Sequence, residues 1–201
     1  MSILLLKRVN APFNLLAALI IATLISESTA KYFAVNYGNN NPVYHVFTPI
    51  EYCFYTFIYS KFFKTRQWSK FLFISAAGVI VFEIVNVIFF QPLRVDDTNT
   101  MIVESLLLMF LSLMLFVRIR TTHVTGNILL KGVFWFNSIV LIYYAFDILV
   151  WGFHSLKVYQ LKNPPIIMYY LMFLMSALLY IAFTFSIILN FNNKRNVAKY
   201  K

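Results

Sequence analysis

The sequence contains few charged residues, and most of those it has are basic. Only 12% of its 201 residues are Asp, Glu, Lys or Arg, where a typical soluble domain has about 25%. Acids are the scarcest, with 7 Asp and Glu beside 17 Lys and Arg. With 61% hydrophobic residues, this composition excludes an ordinary soluble domain and indicates an integral membrane protein.

Other absences exclude whole classes of chemistry. Cys53 is the only cysteine, so no internal disulfide or cysteine-based metal cluster can form. The five glycines are scattered singly, and neither the phosphate-binding nor the dinucleotide-binding glycine pattern is present. The G-x-S-x-G motif of nucleophilic hydrolases is absent too. The sequence therefore identifies no cofactor and no nucleophilic enzyme.

Long apolar runs separated by polar loops predict an all-α, polytopic membrane protein with six transmembrane helices in one membrane domain. The first run follows Lys7 and Arg8 and resembles a signal peptide, but it is long enough to span, and we predict a retained helix. The two halves share no motif, so no internal repeat is predicted. The predicted helices cover residues 12–33, 44–63, 71–90, 101–117, 132–153 and 166–191, with a basic tail at 192–201.

The basic residues predict how the helices are oriented. Thirteen of the 17 Lys and Arg fall in the head, in the loops at 61–70 and 118–131, and in the tail. Since basic loops remain cytoplasmic, both termini are predicted to be cytoplasmic, in a plasma or inner membrane. The same placement accounts for the net charge of +10, so we predict a lipid bilayer as partner and no nucleic acid.

Acidic residues inside the predicted helices form a layer near the non-cytoplasmic surface. At about 1.5 Å per residue, five of the acids lie roughly 5–10 Å below that surface. Acids at this depth should face the bundle rather than lipid, and like charges gathered there cannot all ionise. The layer therefore predicts protonated carboxyls, a bound cation or a water-filled bowl. Its members are Glu27, Glu51, Glu83, Glu104 and Asp147.

Other polar side chains extend this layer into a predicted ligand-binding site. Tyr144 precedes Asp147 by three residues and His154 follows it by seven, so all three share one helix face. Histidines near the carboxylates are the residue types of a zinc or manganese site, but no metal-binding spacing supports one, and none is predicted. The predicted ligand-binding residues are Glu51, Glu83, Glu104, Asp147, His45, Asn86, Tyr144 and His154.

Three functions fit this pattern, and we favour the first. It is a small membrane binding or sensing protein, whose outward-facing acidic pocket takes a cationic or polar ligand or a lipid headgroup. Signalling would require a membrane or cytoplasmic protein partner, because the loops are too short to form a domain. The alternatives are a membrane-embedded lipid-modifying enzyme, whose paired carboxylates serve as general acid and base or hold a divalent cation, and a small proton-coupled transporter, which requires a polar path across the inner half.

Overall fold

Six α-helices joined by short connections make up the described part of the protein. The computed structural model describes residues 10–121, 128–158 and 166–199, with side chains except at 154–158, 166–169 and 193–199. No strand occurs in these residues, so the predicted all-α fold is confirmed for them. The helices are α1 (Ala11–Tyr37), α2 (Asn41–Phe63), α3 (Arg66–Phe89), α4 (Thr98–Thr121), α5 (Gly132–Val158) and α6 (Ile166–Lys199).

Most helices extend beyond the bounds predicted from hydropathy. α3 begins at Arg66, five residues before the predicted start, and α6 continues to Lys199, through most of the predicted tail. Hydropathy marks only the apolar part of a helix, whereas Lys, Arg and Gln are good helix formers that continue it into the polar region. The residues between α1 and α2 and between α2 and α3 are therefore very few, which makes these consecutive helices antiparallel neighbours.

Specific residues set the ends of the first helices. Pro12 lies in the first turn of α1, where a missing amide proton costs nothing. Gly38 follows α1 with φ +68°, and its amide donates to the Ala34 carbonyl at 3.1 Å. This left-handed conformation ends the helix, and glycine adopts it without steric cost. At the next turn, the Thr65 hydroxyl accepts a hydrogen bond from the Trp68 amide and caps α3.

Five of the six helices are long and apolar enough to cross a membrane, which indicates an integral membrane protein. α2 is not among the five. The sequence predicted residues 44–63 as a span, and that sixth span remains a prediction.

α2 buries several polar and aromatic side chains against neighbouring helices. It packs against α1, α3 and α4, and its Tyr52, Tyr55 and Tyr59 are fully buried. The Tyr55 ring packs edge-on against Tyr144 of α5, with centroids 5.5 Å apart. A helix surrounded by other helices faces little lipid, so it tolerates polar side chains that a lipid-facing helix would not. This explains why the least apolar helix carries much of the polar chemistry.

The start of α5 approaches α6 too closely for any side chain. A Cβ added at Gly132 would lie 2.3 Å from the carbonyl oxygen of Ser186, whereas a Cβ at Gly78 in α3 would meet no described atom within 4 Å. We expect Gly132→Ala to lower the stability by about 1–3 kcal/mol through overpacking. Gly78→Ala is the matched control and should be neutral or slightly stabilising, because alanine favours helix. Melting temperatures of both variants in lipid nanodiscs test this, and equal shifts would contradict the packing described.

Candidate functional site

A cavity of about 660 Å³ lies at the end of the bundle where α1 ends and α2 begins. We call this end the acidic end. Side chains from α1, α2, α4, α5 and α6 line the cavity, together with the segment that leads into α4. α3 contributes no lining residue. The volume falls within the roughly 300–1,000 Å³ of small-molecule sites.

Six of the seven acids of the chain line this cavity. Four come from helices and belong to the predicted acidic layer, and two come from the segment before α4. Glu83, the fifth member of the predicted layer, lies elsewhere. The lining acids are Glu27, Glu51, Asp96, Asp97, Glu104 and Asp147.

Hydroxyl groups orient three of these carboxylates. Tyr144 donates to Glu51 at 3.2 Å, Ser105 donates to Asp147 at 2.7 Å, and Tyr44 donates to Glu27 at 3.4 Å. Each donor is on a different helix from its acceptor. These hydrogen bonds therefore connect the helices that form the wall of the cavity.

Glu104 differs from the other acids of the cavity. It is 3% exposed, and its Oε1 has no hydrogen-bond partner among the described residues. Its charge also lies close enough to Glu51 and Asp147 to repel theirs. A buried carboxylate oxygen without a donor costs free energy unless a proton, water or cation meets it.

All the charged side chains described in the cavity lining are acidic. None of the described lining residues is Lys, Arg or His, although the chain carries a net charge of +10. Gathered acids of this kind cannot all be ionised without a positive counterpart. Aromatic rings interleave with them and offer faces that attract cations. These rings belong to Tyr44, Phe47, Tyr143, Tyr144, Trp151, Phe173 and Tyr180.

A second polar cluster adjoins the cavity and contains His45, Glu83 and Asp97. His45 Nδ1 lies 2.7 Å from Glu83 Oε1 and 3.7 Å from Asp97 Oδ1. His45 Nε2 donates to the carbonyl oxygen of Val95 at 2.9 Å. All three side chains of the cluster are buried. We call this group the histidine cluster.

Polar neighbours hold the histidine cluster in place. The Thr100 hydroxyl donates to Glu83, and the Asn86 amide donates to Asp97 Oδ1 at 3.2 Å. The side-chain amide of Asn99 donates to Asn86 Oδ1 at 2.9 Å. The cluster thus joins α2, α3 and the start of α4 into one network at the acidic end.

Asp97 belongs to both sites, since it lines the cavity and contacts the histidine cluster. It is 1% exposed, and its Oδ2 has no hydrogen-bond partner among the described residues. Burial, followed by the nearby charge of Glu83, raises the pKa of Asp97 to about 7. This carboxylate is therefore poised between its two protonation states near neutral pH.

The structure brings the predicted site residues together in two groups rather than one. Glu51, Glu104, Asp147 and Tyr144 line the cavity, while His45, Glu83 and Asn86 belong to the histidine cluster and its network. His154 lies in α5, and its side chain is outside the described part of the chain. Glu83 was assigned to the shared layer from its depth alone, and depth does not specify which face of the helix bears the side chain.

Sequence reasoning did not include Asp96, Asp97, Thr100 and Ser105 in the site. The sequence predicts both aspartates in a polar loop. In the structure that loop folds back over the start of α2, where Asn41 donates to the Arg94 carbonyl at 3.1 Å. One sequence signal indicates Asp97: an acid immediately before an apolar helix is a typical helix-capping position. The start of α4, which Asp97 precedes, lies at the same end of the bundle as the start of α2.

The opposite half of the bundle is closed by three fully buried polar residues, Tyr59, Ser112 and Asn137. The Asn137 amide donates to the Ser112 carbonyl at 2.9 Å, and the Tyr59 hydroxyl lies 3.1 Å from Asn137 Oδ1 and 2.7 Å from Ser112 Oγ. Asn137 is ten residues from Asp147, so this polar plug lies about 15 Å from that carboxylate along α5.

No protein-family model matches the chain, and neither a curated protein nor a solved structure matches it. The fold and hydropathy therefore define its class directly: a helical, integral membrane protein with a buried acidic cavity. What the protein does has to be argued from that cavity.

Replacing the plug should destabilise the bundle. We expect Asn137→Leu to cost about 1–2 kcal/mol, because it removes hydrogen bonds between α2, α4 and α5 and leaves the Tyr59 hydroxyl with fewer partners. Thr184→Val is the matched control, since the exposed Thr184 hydroxyl bonds only within its own helix, to Tyr180. Melting temperature in nanodiscs measures both, and a plug variant as stable as the control would contradict this assignment.

Proposed function

We propose that the protein is a membrane-embedded binding protein whose acidic, aromatic cavity takes an organic cation. The observation that supports this most directly is the charge of the cavity: six of the seven acids line it, and no described lining residue is basic. An ammonium group placed there would relieve the mutual repulsion of Glu51, Glu104 and Asp147. It would also give the unpartnered oxygen of Glu104 a counterpart.

The size and aromatic content of the cavity favour an organic cation over a bare metal ion. Quaternary or protonated amines are attracted to the faces of Tyr and Trp rings, and seven aromatic side chains line the cavity. A volume of about 660 Å³ suits a small organic molecule and far exceeds what an inorganic ion needs. Amine-bearing lipid headgroups have the same chemistry and belong to the same ligand class.

We further propose six transmembrane spans with both termini in the cytoplasm. The support is the distribution of basic residues, of which 13 of 17 fall in the head, two loops and tail. In this orientation the cavity faces the non-cytoplasmic side, and its ligand would arrive from there. The membrane concerned would be a plasma or inner membrane.

Binding is favoured over transport because the polar plug separates the cavity from the opposite end. Tyr59, Ser112 and Asn137 are fully buried, and Phe136 and Phe183 pack beside them. A transporter requires a polar path past this level. A sensing role would relay occupancy through α2, where Pro49 cannot donate to the His45 carbonyl and so weakens the helix at the level of the cavity. A protein partner would receive that signal.

The enzyme alternative required a metal between Glu51 and Asp147 or an opening to lipid beside them. Among the described residues, the one cluster with metal-ligand geometry is the histidine cluster, which contains neither of these acids. Between Glu51 and Asp147 the described residues therefore offer no set of metal ligands.

Neutralising a cavity acid should weaken cation binding without unfolding the protein. We expect Glu51→Gln and Asp147→Asn each to raise the dissociation constant of benzyltrimethylammonium at least about tenfold, because one attracting charge in a low-dielectric cavity is lost. Titration calorimetry in lipid nanodiscs, with empty nanodiscs subtracted, measures this.

Two controls make the test specific. Neopentylbenzene has the same shape with carbon in place of nitrogen, and the wild type should bind it at least about tenfold more weakly than the cation. Lys31→Gln alters an exposed charge outside the cavity lining and should change affinity less than about twofold. Wild-type binding that does not distinguish the two ligands, or unchanged affinity in both acid variants, would refute the proposal.

A further inference from the structure

The ring of His45 has a defined orientation because of the carbonyl that it faces. A backbone carbonyl can only accept, so Nε2 carries the proton in its 2.9 Å contact with Val95. The other ring nitrogen, Nδ1, then points at two carboxylates, Glu83 Oε1 at 2.7 Å and Asp97 Oδ1 at 3.7 Å. Nδ1 and the carboxylate oxygens are all acceptors in their basic forms. Something positive must lie between them.

A proton can bridge only one of these contacts. If it lies between His45 and Glu83, the ionised form of Asp97 still leaves one negative charge on the three groups, in a site where each side chain is less than 10% exposed. The Asp97 Oδ2 atom also lacks a hydrogen-bond partner among the described residues. A divalent cation would balance both carboxylates with a neutral His45 and would provide Asp97 with a partner.

The surroundings resemble those that orient metal ligands. A ligating histidine typically donates its other N–H to a backbone carbonyl, as His45 does to Val95, and ligating carboxylates accept further hydrogen bonds. Thr100 supplies such a bond to Glu83, and Asn86 supplies one to Asp97. Thr100 bonds to Glu83 Oε2, so that Oε1 faces His45, and Asn86 bonds to Asp97 Oδ1, while Oδ2 has no described donor.

We propose that His45 Nδ1 and the carboxylates of Glu83 and Asp97 form a binding site for a divalent transition metal, with Zn²⁺ as the best fit. One atom from each residue lies within 4.8 Å of the others. Tetrahedral zinc with bonds of about 2.0–2.2 Å holds its ligands roughly 3.3 Å apart, and the contacts of 2.7 and 3.7 Å from Nδ1 bracket that spacing. The ion would connect α2, α3 and the segment entering α4.

This site shares Asp97 with the proposed cation cavity, but its other two ligands, His45 and Glu83, do not line that cavity. Three protein ligands leave tetrahedral zinc one further position for water or another small ligand. Because Asp97 also lines the cavity, the ion would hold that wall in place.

Zinc binding to the full-length protein in lipid nanodiscs tests the proposal. After chelator treatment, titration with Zn²⁺ should give one ion per chain, and Zn²⁺ should raise the melting temperature, since it binds the folded state.

Glu83→Gln keeps the size and a hydrogen bond to His45, and His45→Gln removes the nitrogen ligand. Each variant should raise the dissociation constant for Zn²⁺ at least about 100-fold. Loss of even a residue that only orients a ligand lowers metal affinity about 10–100-fold. Co²⁺ in place of Zn²⁺ should give the visible absorption of a tetrahedral site in the wild type only.

His123→Gln, a change in the basic loop at 118–131 that is predicted to be cytoplasmic, is the matched control for His45→Gln and should leave zinc affinity unchanged. Absence of a one-to-one zinc complex in the wild type would overturn the proposal whether or not any variant folds, and would leave the cluster as a proton-bridged ion pair. Zinc affinity equal to wild type in both folded cluster variants would overturn it as well.

Discussion

The cost of placing carboxylates inside a membrane protein is the constraint on which this structure depends. Such groups must face the bundle interior, where partners, water or a cation can meet them. The chain satisfies this by surrounding α2, its least apolar helix, with α1, α3 and α4. Hydroxyls from neighbouring helices then orient the acids, as Tyr144 does for Glu51 and Ser105 for Asp147. The remaining excess of negative charge is what a positive ligand would neutralise.

The acidic cavity and the polar plug differ because their polar groups are satisfied differently. At the acidic end, carboxylates crowd a cavity and two of them, Asp97 and Glu104, retain a buried oxygen without a described partner. In the opposite half, Tyr59, Ser112 and Asn137 satisfy one another and lie among aromatic rings. Polar groups that satisfy one another's hydrogen bonds form a rigid plug, whereas carboxylates that repel one another form a site that a bound cation would stabilise. This contrast is the physical basis for favouring binding over passage across the membrane.

Sequence reasoning predicted the helices well and the site in part. Apolar runs of about 20 residues mark helices without tertiary information, and helical rise placed Glu27, Glu51, Glu104 and Asp147 at one level. Rise does not give the angle around the bundle, so Glu83 was grouped with them although its helix turns it toward His45. The pairing of His45 with Glu83 and Asp97 depends on a loop that folds back over α2. The hydrophobic periodicity of a sequence does not predict how a loop folds.

The central claim is that the cavity is electronegative and open to small cations, and cysteine labelling measures this most directly. In a Cys53→Ser background, which is free of cysteine, Met101→Cys places a thiol in the cavity lining, and Tyr37→Cys places one at an exposed site. The rate ratio of a cationic to an anionic methanethiosulfonate reagent is compared at the two positions. The account predicts a ratio at least about tenfold higher at Met101→Cys, because negative walls concentrate cations. Equal ratios at the two positions would contradict it.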